Sequence, residues 1–377
     1  MRNKKNPGNP FVLAGFVSKE LFCNREKELQ WLHDQAINHR NVVIYSWRRM
    51  GKTALIQCFS RTYERPLQAE LVYVDLMGVR NMPEAIKAIA QAIHQKYGRS
   101  THGISKALGT LLSRLGMSVN FDPVSGAPKI SFGLTSPLPP EHSLEALGGF
   151  LDSRKKRVIL ALDEFQQVTS FPEGNAEAAF RSWMQGYPNI RFIFSGSQRN
   201  LMRSIFSEQN RPFYKSTQML DLSPIPLEAY REFIQKHFSK ASKNINDRVV
   251  EEIYRWSRGQ TYTVQLICNK AFASNESLTP ETLQQVFSET IEQEKPVFYN
   301  YMKMLTATQW DVLRAIAISE PVASPHSRDF ISRHGLGAPS SVSTALNALI
   351  EKEMVIQEDD TFMLHDVILT RWFQQQA

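Results

Sequence analysis

Residues 42–56 read VVIYSWRRMGKTALI, which is an apolar strand, a short turn and a helix that begins in Gly-Lys-Thr. This order is typical of a phosphate-binding loop, whose backbone N–H groups and helix dipole attract phosphate oxygens. Lys52 is expected to contact the β- and γ-phosphates, and Thr53 to ligate Mg²⁺. The residues that we predict to bind nucleotide phosphates are Ser46, Arg48, Arg49, Met50, Gly51, Lys52, Thr53 and Ala54.

One position of the loop departs from the consensus G-x-x-x-x-G-K-[ST]. Ser46 stands where the consensus has the first glycine. If that position requires a positive φ, serine costs about 1 kcal/mol there. The alternative is a chance Gly-Lys-Thr at the start of a surface helix, but the preceding strand and an acidic strand downstream favour the loop.

The acidic strand is residues 158–162, an apolar run that ends in Asp163 and Glu164. Asp163 is expected to hold Mg²⁺ through water, and Glu164 to orient or deprotonate the attacking water. The alternative is a strand that merely ends in solvated acids. Because ligands of open α/β sheets lie at the carboxyl ends of strands, we expect both motifs to meet in one crevice.

A third polar segment follows the apolar run 190–195. Arg199 is predicted to sense the γ-phosphate, although a solvated helix charge is the alternative reading. Ser195 and Ser197 are further candidates for this role, but a serine at a strand end is more often a turn residue.

The remaining pattern predicts an α/β architecture. Strands are expected before the loop and at 71–76, 158–162, 190–195 and 218–222. Helices are expected from 53 to about 63, from 82 to about 115 and at 144–150, with an inserted hairpin that turns at Ser125-Gly126. A helix capped by Asn24 is expected before the first strand. We predict a P-loop NTPase parallel sheet over residues 1–222, a helical lid over 223–302 and a winged-helix domain over 303–377, whose hairpin turns at Asp359-Asp360.

Composition and charge limit the function classes. Hydrophobic residues make up 42% and charged residues 21%, and neither a secretory signal nor a membrane-spanning run is recognised. Three scattered cysteines suggest a reducing, cytoplasmic environment. The net charge is +8 over residues 1–150, +2 over 151–300 and −3 over 301–377. Because DNA binding needs cations at the phosphates, we do not favour nucleic acid as the partner of the winged helix.

Together the motifs resemble those of AAA+-type P-loop ATPases related to the archaeal-type, STAND and replication-initiator ATPases. The resemblance rests on the loop, on Leu162-Asp163-Glu164-Phe165, on Phe194-Ser195-Gly196-Ser197, on Phe22 to Glu26 and on the C-terminal outline. It implies that ATP and Mg²⁺ are cofactors and that Phe22 and Arg25 lie beside the adenine. Thr261 departs from the Gly-x-Pro that relatives often have in the lid.

The function we expect is that of a Mg-ATP-binding switch ATPase, which couples slow hydrolysis to a conformational change or to assembly with a protein partner or another copy. Two alternatives remain open at this point. One is a nucleotide-binding scaffold that does not hydrolyse ATP. The other is a DNA-acting initiator or transposition-like ATPase, which the basic first half supports.

Overall fold

The computed structural model describes residues 8–98, 102–122, 128–132, 138–274, 278–358 and 360–377. The chain forms two compact units. One is Arg25–Ser223, which we call the sheet unit. The other joins the described residues up to Asn24 with Pro224–Ala377, and we call it the helical unit.

The sheet unit alternates strands and helices, as its apolar runs predict. Its strands are β1 Val42–Tyr45, β2 Ala69–Asp75, β3 Met117–Phe121, β4 Pro128–Phe132, β5 Arg157–Asp163, β6 Arg191–Gly196 and β7 Gln218–Asp221. Its helices are α1 Glu26–Ile37, α2 Lys52–Tyr63, α3 Met82–Tyr97, α4 His102–Arg114, α5 Pro140–Asp152, α6 Ala176–Gly186 and α7 Arg199–Ser207.

Five strands form one parallel sheet in the order β2-β5-β6-β1-β7. All four residues of β1 and all six of β6 are buried, which explains why β1 and residues 192–194 of β6 are apolar throughout. The strand β6 lies between β1, which leads into the phosphate-binding loop, and β5, which ends in the acidic pair. The carboxyl ends of three neighbouring strands therefore lie side by side at one end of the sheet, together with the phosphate-binding loop and the acidic pair.

An aromatic cluster fixes the turn after β5. Phe165 directly follows the acidic pair and is fully buried, with its ring centroid 4.6 Å from that of Phe194 and 5.4 Å from that of Phe213. Aromatic contacts of this kind add to the free energy gained by burying the rings. The buried ring after Glu164 therefore holds the backbone of the acidic turn against the sheet.

The inserted hairpin is present, and one predicted cap is wrong. Strands β3 and β4 pair antiparallel, while the turn predicted at Ser125-Gly126 lies outside the described residues. Helix α1 begins at Glu26 with Arg25 as its N-cap, and Asn24 has a left-handed φ of 58°. Arg25 occupies the cap position without a capping hydrogen bond from its side chain, which donates instead to Glu28 and to the carbonyl of Ser223.

The helical unit contains the elements predicted for a lid and a winged helix, followed by one last helix that was not predicted. They are α8 Leu227–Lys240, α9 Asp247–Trp256, α10 Thr261–Ala273, α11 Pro280–Met304, α12 Ala307–Ser319, α13 Arg328–Arg333, α14 Pro339–Glu351, β8 Val355–Glu358, β9 Thr361–Leu364 and α15 Val367–Gln375. The strands β8 and β9 pair antiparallel, and of their predicted turn Asp359 lies outside the described residues. Among the helices that the structure describes, none is long and apolar enough to cross a bilayer.

Two hydrophobic clusters organise this unit. Phe11 and Cys23 pack with residues of α8, α9, α10 and α11, so the N-terminal segment belongs to the helical unit and the sheet unit begins at residue 25. A second cluster joins α12, α14 and α15 to Phe298 of α11 and Leu266 of α10. The division at residues 302 and 303 stays a prediction.

Candidate active site

The phosphate-binding loop has the backbone that its sequence requires. Gly51 is the N-cap of α2 with a left-handed φ of 93°, and Arg49 has a φ of 67°. Only glycine adopts this region without a steric cost from Cβ. Ser46 is outside the left-handed region, so the strain considered for serine at this position does not arise.

Lys52 is folded back onto the loop. Its side chain is 6% exposed, and its Nζ donates hydrogen bonds of 3.2 Å to the backbone carbonyl of Ser46, to Ser46 Oγ and to the carbonyl of Trp47. Ser46 thus supplies one more acceptor than a glycine would. A bound phosphate would replace these acceptors as the partner of Lys52 Nζ, because charge-assisted hydrogen bonds to phosphate are stronger than hydrogen bonds to neutral acceptors.

Asp163 is the centre of the hydrogen-bond network at the sheet edge. Asp163 is 3% exposed. Thr53 Oγ1 and the Tyr73 hydroxyl donate to Oδ2 at 2.7 and 2.6 Å, while Ser195 Oγ and the backbone N–H of Glu164 donate to Oδ1. The loop, β2, β5 and β6 therefore all meet at one carboxylate.

The neighbouring oxygens of Thr53 and Asp163 suit a magnesium ion. Mg²⁺ prefers oxygen ligands and is usually held by one or two protein groups together with substrate phosphates. Within the described ranges, no group of three or more His, Cys, Asp or Glu side chains could hold a metal ion by itself. This donor set therefore fits a metal that arrives with the phosphates.

Glu164 is held by neighbours on two other segments. Its backbone is left-handed with a φ of 55°, and its Oε2 accepts hydrogen bonds from Ser197 Oγ at 2.7 Å and from Gln166 Nε2. Arg48 of the phosphate-binding loop donates from Nε to the same Ser197 hydroxyl at 3.3 Å. A chain of polar contacts thus runs from the loop through Ser197 to Glu164.

Comparisons with known proteins agree with this geometry. A family model described as an ATPase domain predominantly from Archaea matches residues 22–267, which is more than half of the chain. The protein belongs to this ATPase family. A model described as a probable winged helix domain matches residues 296–375. The predicted P-loop ATPase fold with a C-terminal winged helix is therefore confirmed.

Solved structures show the same fold at low sequence identity. The Walker-type ATPase PABY2304 of Pyrococcus abyssi is 20% identical, with 97% of this chain and 99% of that chain covered and a TM-score of 0.67. The ORC2 protein of Aeropyrum pernix, in ADPNP-ADP complexes, is 14% identical over 98% and 97% with a TM-score of 0.58. The ORC1 protein of the same organism, in complex with DNA, is 15% identical over 98% and 97% with a TM-score of 0.54. No curated protein matches the sequence.

In this ATPase, Arg199 forms an ion pair with Asp221 of β7, the edge strand next to β1. It is the first residue of α7, and its guanidinium contacts Asp221 Oδ2 at 2.5 Å through Nη2 and at 3.2 Å through Nε. Asp221 ends β7 opposite Tyr45 in the ladder. The ion pair keeps Arg199 near the end of β1, and sensing of the γ-phosphate stays a prediction.

The predicted adenine contacts are divided between the two units of the ATPase. Arg25 belongs to the sheet unit, is buried, and donates to Glu28 Oε1 at 2.7 Å and to the carbonyl of Ser223 at 2.8 Å. Phe22 belongs to the helical unit, with its ring edge-on to Phe16 at 5.4 Å. Contact of either residue with adenine stays a prediction.

Two groups of the site were not predicted from the sequence of the ATPase. Tyr73 lies on β2, where burial and then Asp163 raise its pKa, so it remains a neutral donor to that carboxylate. Asp75 ends β2 opposite Asp163 in the ladder, and burial raises its pKa, with Asp163 and Glu164 adding to the rise and the N–H of Met77 opposing it. In the sequence, the hydroxyl of Tyr73 and the carboxyl of Asp75 interrupt an otherwise apolar run, and these interruptions are the signals by which the two residues could have been found.

Proposed function

We propose that the protein is a Mg-ATP-dependent switch ATPase, in which slow hydrolysis is coupled to a change of conformation or to assembly with a partner. The observation that carries the proposal is the meeting of Thr53 and Asp163 at 2.7 Å, directly beside a glutamate held by the polar segment after β6. Loop hydroxyl, metal-binding carboxylate and general base are the groups that ATP hydrolysis requires.

Each group has a distinct role in this proposal. Thr53 and Asp163 would hold the magnesium ion, which when bound neutralises charge on the phosphates. When ATP binds, Lys52 Nζ gives up its hydrogen bonds to the loop carbonyls and donates to phosphate oxygens instead. The N–H groups around Gly51 orient those phosphates. Glu164 accepts a proton from the attacking water or orients it.

The surroundings of Glu164 support slow turnover. While its Oε2 accepts from Ser197 and Gln166, that oxygen is engaged and is less available to a water molecule. Arg48 shares the Ser197 hydroxyl and lies in the loop that surrounds the phosphates. We infer that phosphate contacts which draw Arg48 away from Ser197 also change how firmly Glu164 is held.

The link to conformation runs through the helical unit. Arg258, in the turn between α9 and α10, forms an ion pair of 2.9 Å with Glu320 and donates to the carbonyl of Leu364 at 2.8 Å. Arg371 of α15 donates to the carbonyl of Trp256 at 3.0 Å. Because the family resemblance expects nucleotide contact next to this turn, at Gly259-Gln260-Thr261, a nucleotide there would act on a segment bonded to the winged helix.

A second candidate function is action on DNA. A structural neighbour was solved in complex with DNA, and the exposed start of α14 presents Ser340 and Ser341, which can bond to bases or phosphates. The net charge of −3 over residues 301–377 opposes this reading. We therefore propose that the winged helix chiefly contacts protein.

Binding of Mg-ATP tests the site directly. Lys52→Ala removes an ammonium that bonds to phosphate oxygens, each such bond being worth about 1.5–3 kcal/mol, so ATP affinity should fall by about tenfold or more. Titration calorimetry with Mg-ATP measures this, and Lys27→Ala, an exposed lysine of α1, is the matched control. Absence of Mg-ATP binding by the wild type, or equal binding by Lys52→Ala, would show that the site is assigned incorrectly.

A further inference from the structure

A cationic pocket lies at the amino-terminal ends of β5 and β6, whereas the phosphate-binding loop lies at the carboxyl ends of the strands. It has a volume of about 250 Å³. The residues that line it and enter the argument are His39, Asp152, Lys155, Lys156, Arg157 and Arg191. Four consecutive cations, residues 154–157, lead into β5, so the sequence itself concentrates positive charge here.

The pocket is separate from the ATP site. Arg157 begins β5 and Arg191 begins β6, whereas Asp163 and Gly196 end these strands. At about 3.3 Å per residue, the length of β5 places the two edges about 20 Å apart. A ligand of the pocket therefore would not touch the phosphate-binding loop.

His39 lies between two guanidinium groups that both direct N–H donors at its ring. Its Nδ1 lies 3.0 Å from Arg191 Nη2, and its Nε2 lies 3.4 Å from Arg157 Nη2. A neutral imidazole accepts a hydrogen bond at one nitrogen only, and a protonated one accepts none. At least one ring N–H therefore faces a guanidinium donor. The positive charges of Arg157 and Arg191, with burial, lower the pKa of His39 and favour its neutral form.

Arg191 carries a buried charge that the described residues do not neutralise. It is 8% exposed, and its Nη1 and Nη2 donate to the carbonyls of Ile190 at 3.0 Å and Pro188 at 2.5 Å. Its buried Nε has no hydrogen-bond partner among the described residues. A buried charge without a compensating partner is costly, which favours the arrival of an anion.

Capping of helix ends explains only part of this cluster. Arg157 donates to the carbonyl of Ala36 at 3.0 Å near the end of α1, and cations stabilise helix C-termini. Lys156 has Glu70 at 3.6 Å, and Asp152 lines the pocket. Neither Glu70 nor Asp152 forms an ion pair with Arg191. Neither removes the contact between a ring N–H of His39 and a guanidinium donor.

We propose that this pocket binds a phosphate group. Donors reach it from the start of β5, the start of β6 and the loop after α1, and a phosphate offers several acceptor oxygens to donors that converge from different directions. The phosphate belongs either to a small molecule or to a nucleic-acid backbone. The measurements below separate these two sources.

The first measurement is calorimetry with inorganic phosphate and pyrophosphate. It is made on the Lys52→Ala chain, in which the phosphate-binding loop contributes little. Adding Lys155→Ala and Lys156→Ala should lower the affinity by about tenfold or more, because each lost lysine removes a charge-assisted contact. The control pair Lys236→Ala and Lys240→Ala removes the same charge from the exposed face of α8 and should change the affinity by less than about twofold.

A second variant tests the contribution of the buried Arg191. Arg191→Gln should also weaken phosphate binding, with its fold checked by circular dichroism. Neither pocket variant should change ATP binding when Lys52 is intact, which distinguishes this site from the proposed active site. Undetectable phosphate binding by the Lys52→Ala chain, or equal binding by pocket and control variants, overturns the proposal.

The second measurement is fluorescence anisotropy with a labelled single-stranded oligonucleotide of about 12 nucleotides, a length typical of the sites at which proteins bind single-stranded nucleic acid. Loss of oligonucleotide affinity in the pocket variants together with loss of phosphate affinity identifies a backbone phosphate as the ligand. Loss of phosphate affinity alone identifies a small phosphorylated molecule. Either result supports a phosphate site at this edge of the sheet.

Discussion

Glu164 accepts hydrogen bonds from Ser197 and Gln166, and Ser197 in turn accepts one from Arg48 of the phosphate-binding loop. A serine hydroxyl has one proton to donate, so the Ser197 proton given to Glu164 is not available elsewhere. At the scale of single residues, Ser197 is therefore the group that holds the general base in our proposal.

Removal of this hydroxyl should accelerate turnover. Ser197→Ala removes one hydrogen bond to the charged Glu164, worth about 1.5–3 kcal/mol, while Gln166 still donates to the same oxygen, so we expect kcat for phosphate release to rise by about tenfold or more. ATP affinity should stay nearly unchanged. Steady-state phosphate release measures this, with Ser170→Ala, an exposed serine, as the control. A fall in kcat would contradict the role given to Ser197.

The sequence predicted those residues of the candidate site whose position depends on local order along the chain. Gly51, Lys52 and Thr53 follow a strand directly, and Asp163 ends one, so pattern and spacing were sufficient. Tyr73 and Asp75 join the site only because β2 pairs with β5 in a register that sets Asp75 opposite Asp163. Strand neighbours and register are tertiary properties, and a single sequence does not reveal them.

At the scale of secondary-structure elements, the parallel strands were predicted because buried strands are apolar over their whole length. Helices α6 and α15 were not predicted. In α15 the residues Val367, Ile368, Leu369, Trp372 and Phe373 are all buried, and its first three residues form a short apolar run that is equally compatible with a helix and a strand. The cap of α1 was also misplaced, because the N-cap Arg25 makes no side-chain capping hydrogen bond and the usual preference for asparagine at this position does not apply.

Helix α14 tests whether the winged helix reads DNA. We expect duplex affinity of the full chain to be unchanged by Ser340→Ala and Ser341→Ala, because no lysine or arginine lies within α14 to bind phosphates or guanine. Fluorescence anisotropy at low and moderate salt measures this. The full chain is required because Phe298 and Leu266 complete the core of the winged helix. Micromolar or tighter duplex binding that these substitutions abolish would contradict the protein-contact proposal.

At the scale of the whole molecule, charge and connectivity differ between the ends of the chain. Residues 1–150 carry a net charge of +8 and residues 301–377 a net charge of −3, so the C-terminal segment can be attracted to basic surfaces of this chain or of another copy. Within the helical unit, Arg258 and Arg371 join the α9–α10 region to the winged helix. A nucleotide that acts on this region would therefore change the position of the winged helix in our proposal.

The most direct test of the account compares phosphate release by the wild type and by Glu164→Gln, with both proteins saturated with Mg-ATP. Glutamine keeps the size of the side chain and one acceptor oxygen, but it cannot accept the proton of water. We expect equal or nearly equal ATP binding by calorimetry and a loss of phosphate release of about a hundredfold or more, as for removal of a general base. Equal rates of phosphate release by the two proteins would contradict the assignment of Glu164 and with it the proposed active site.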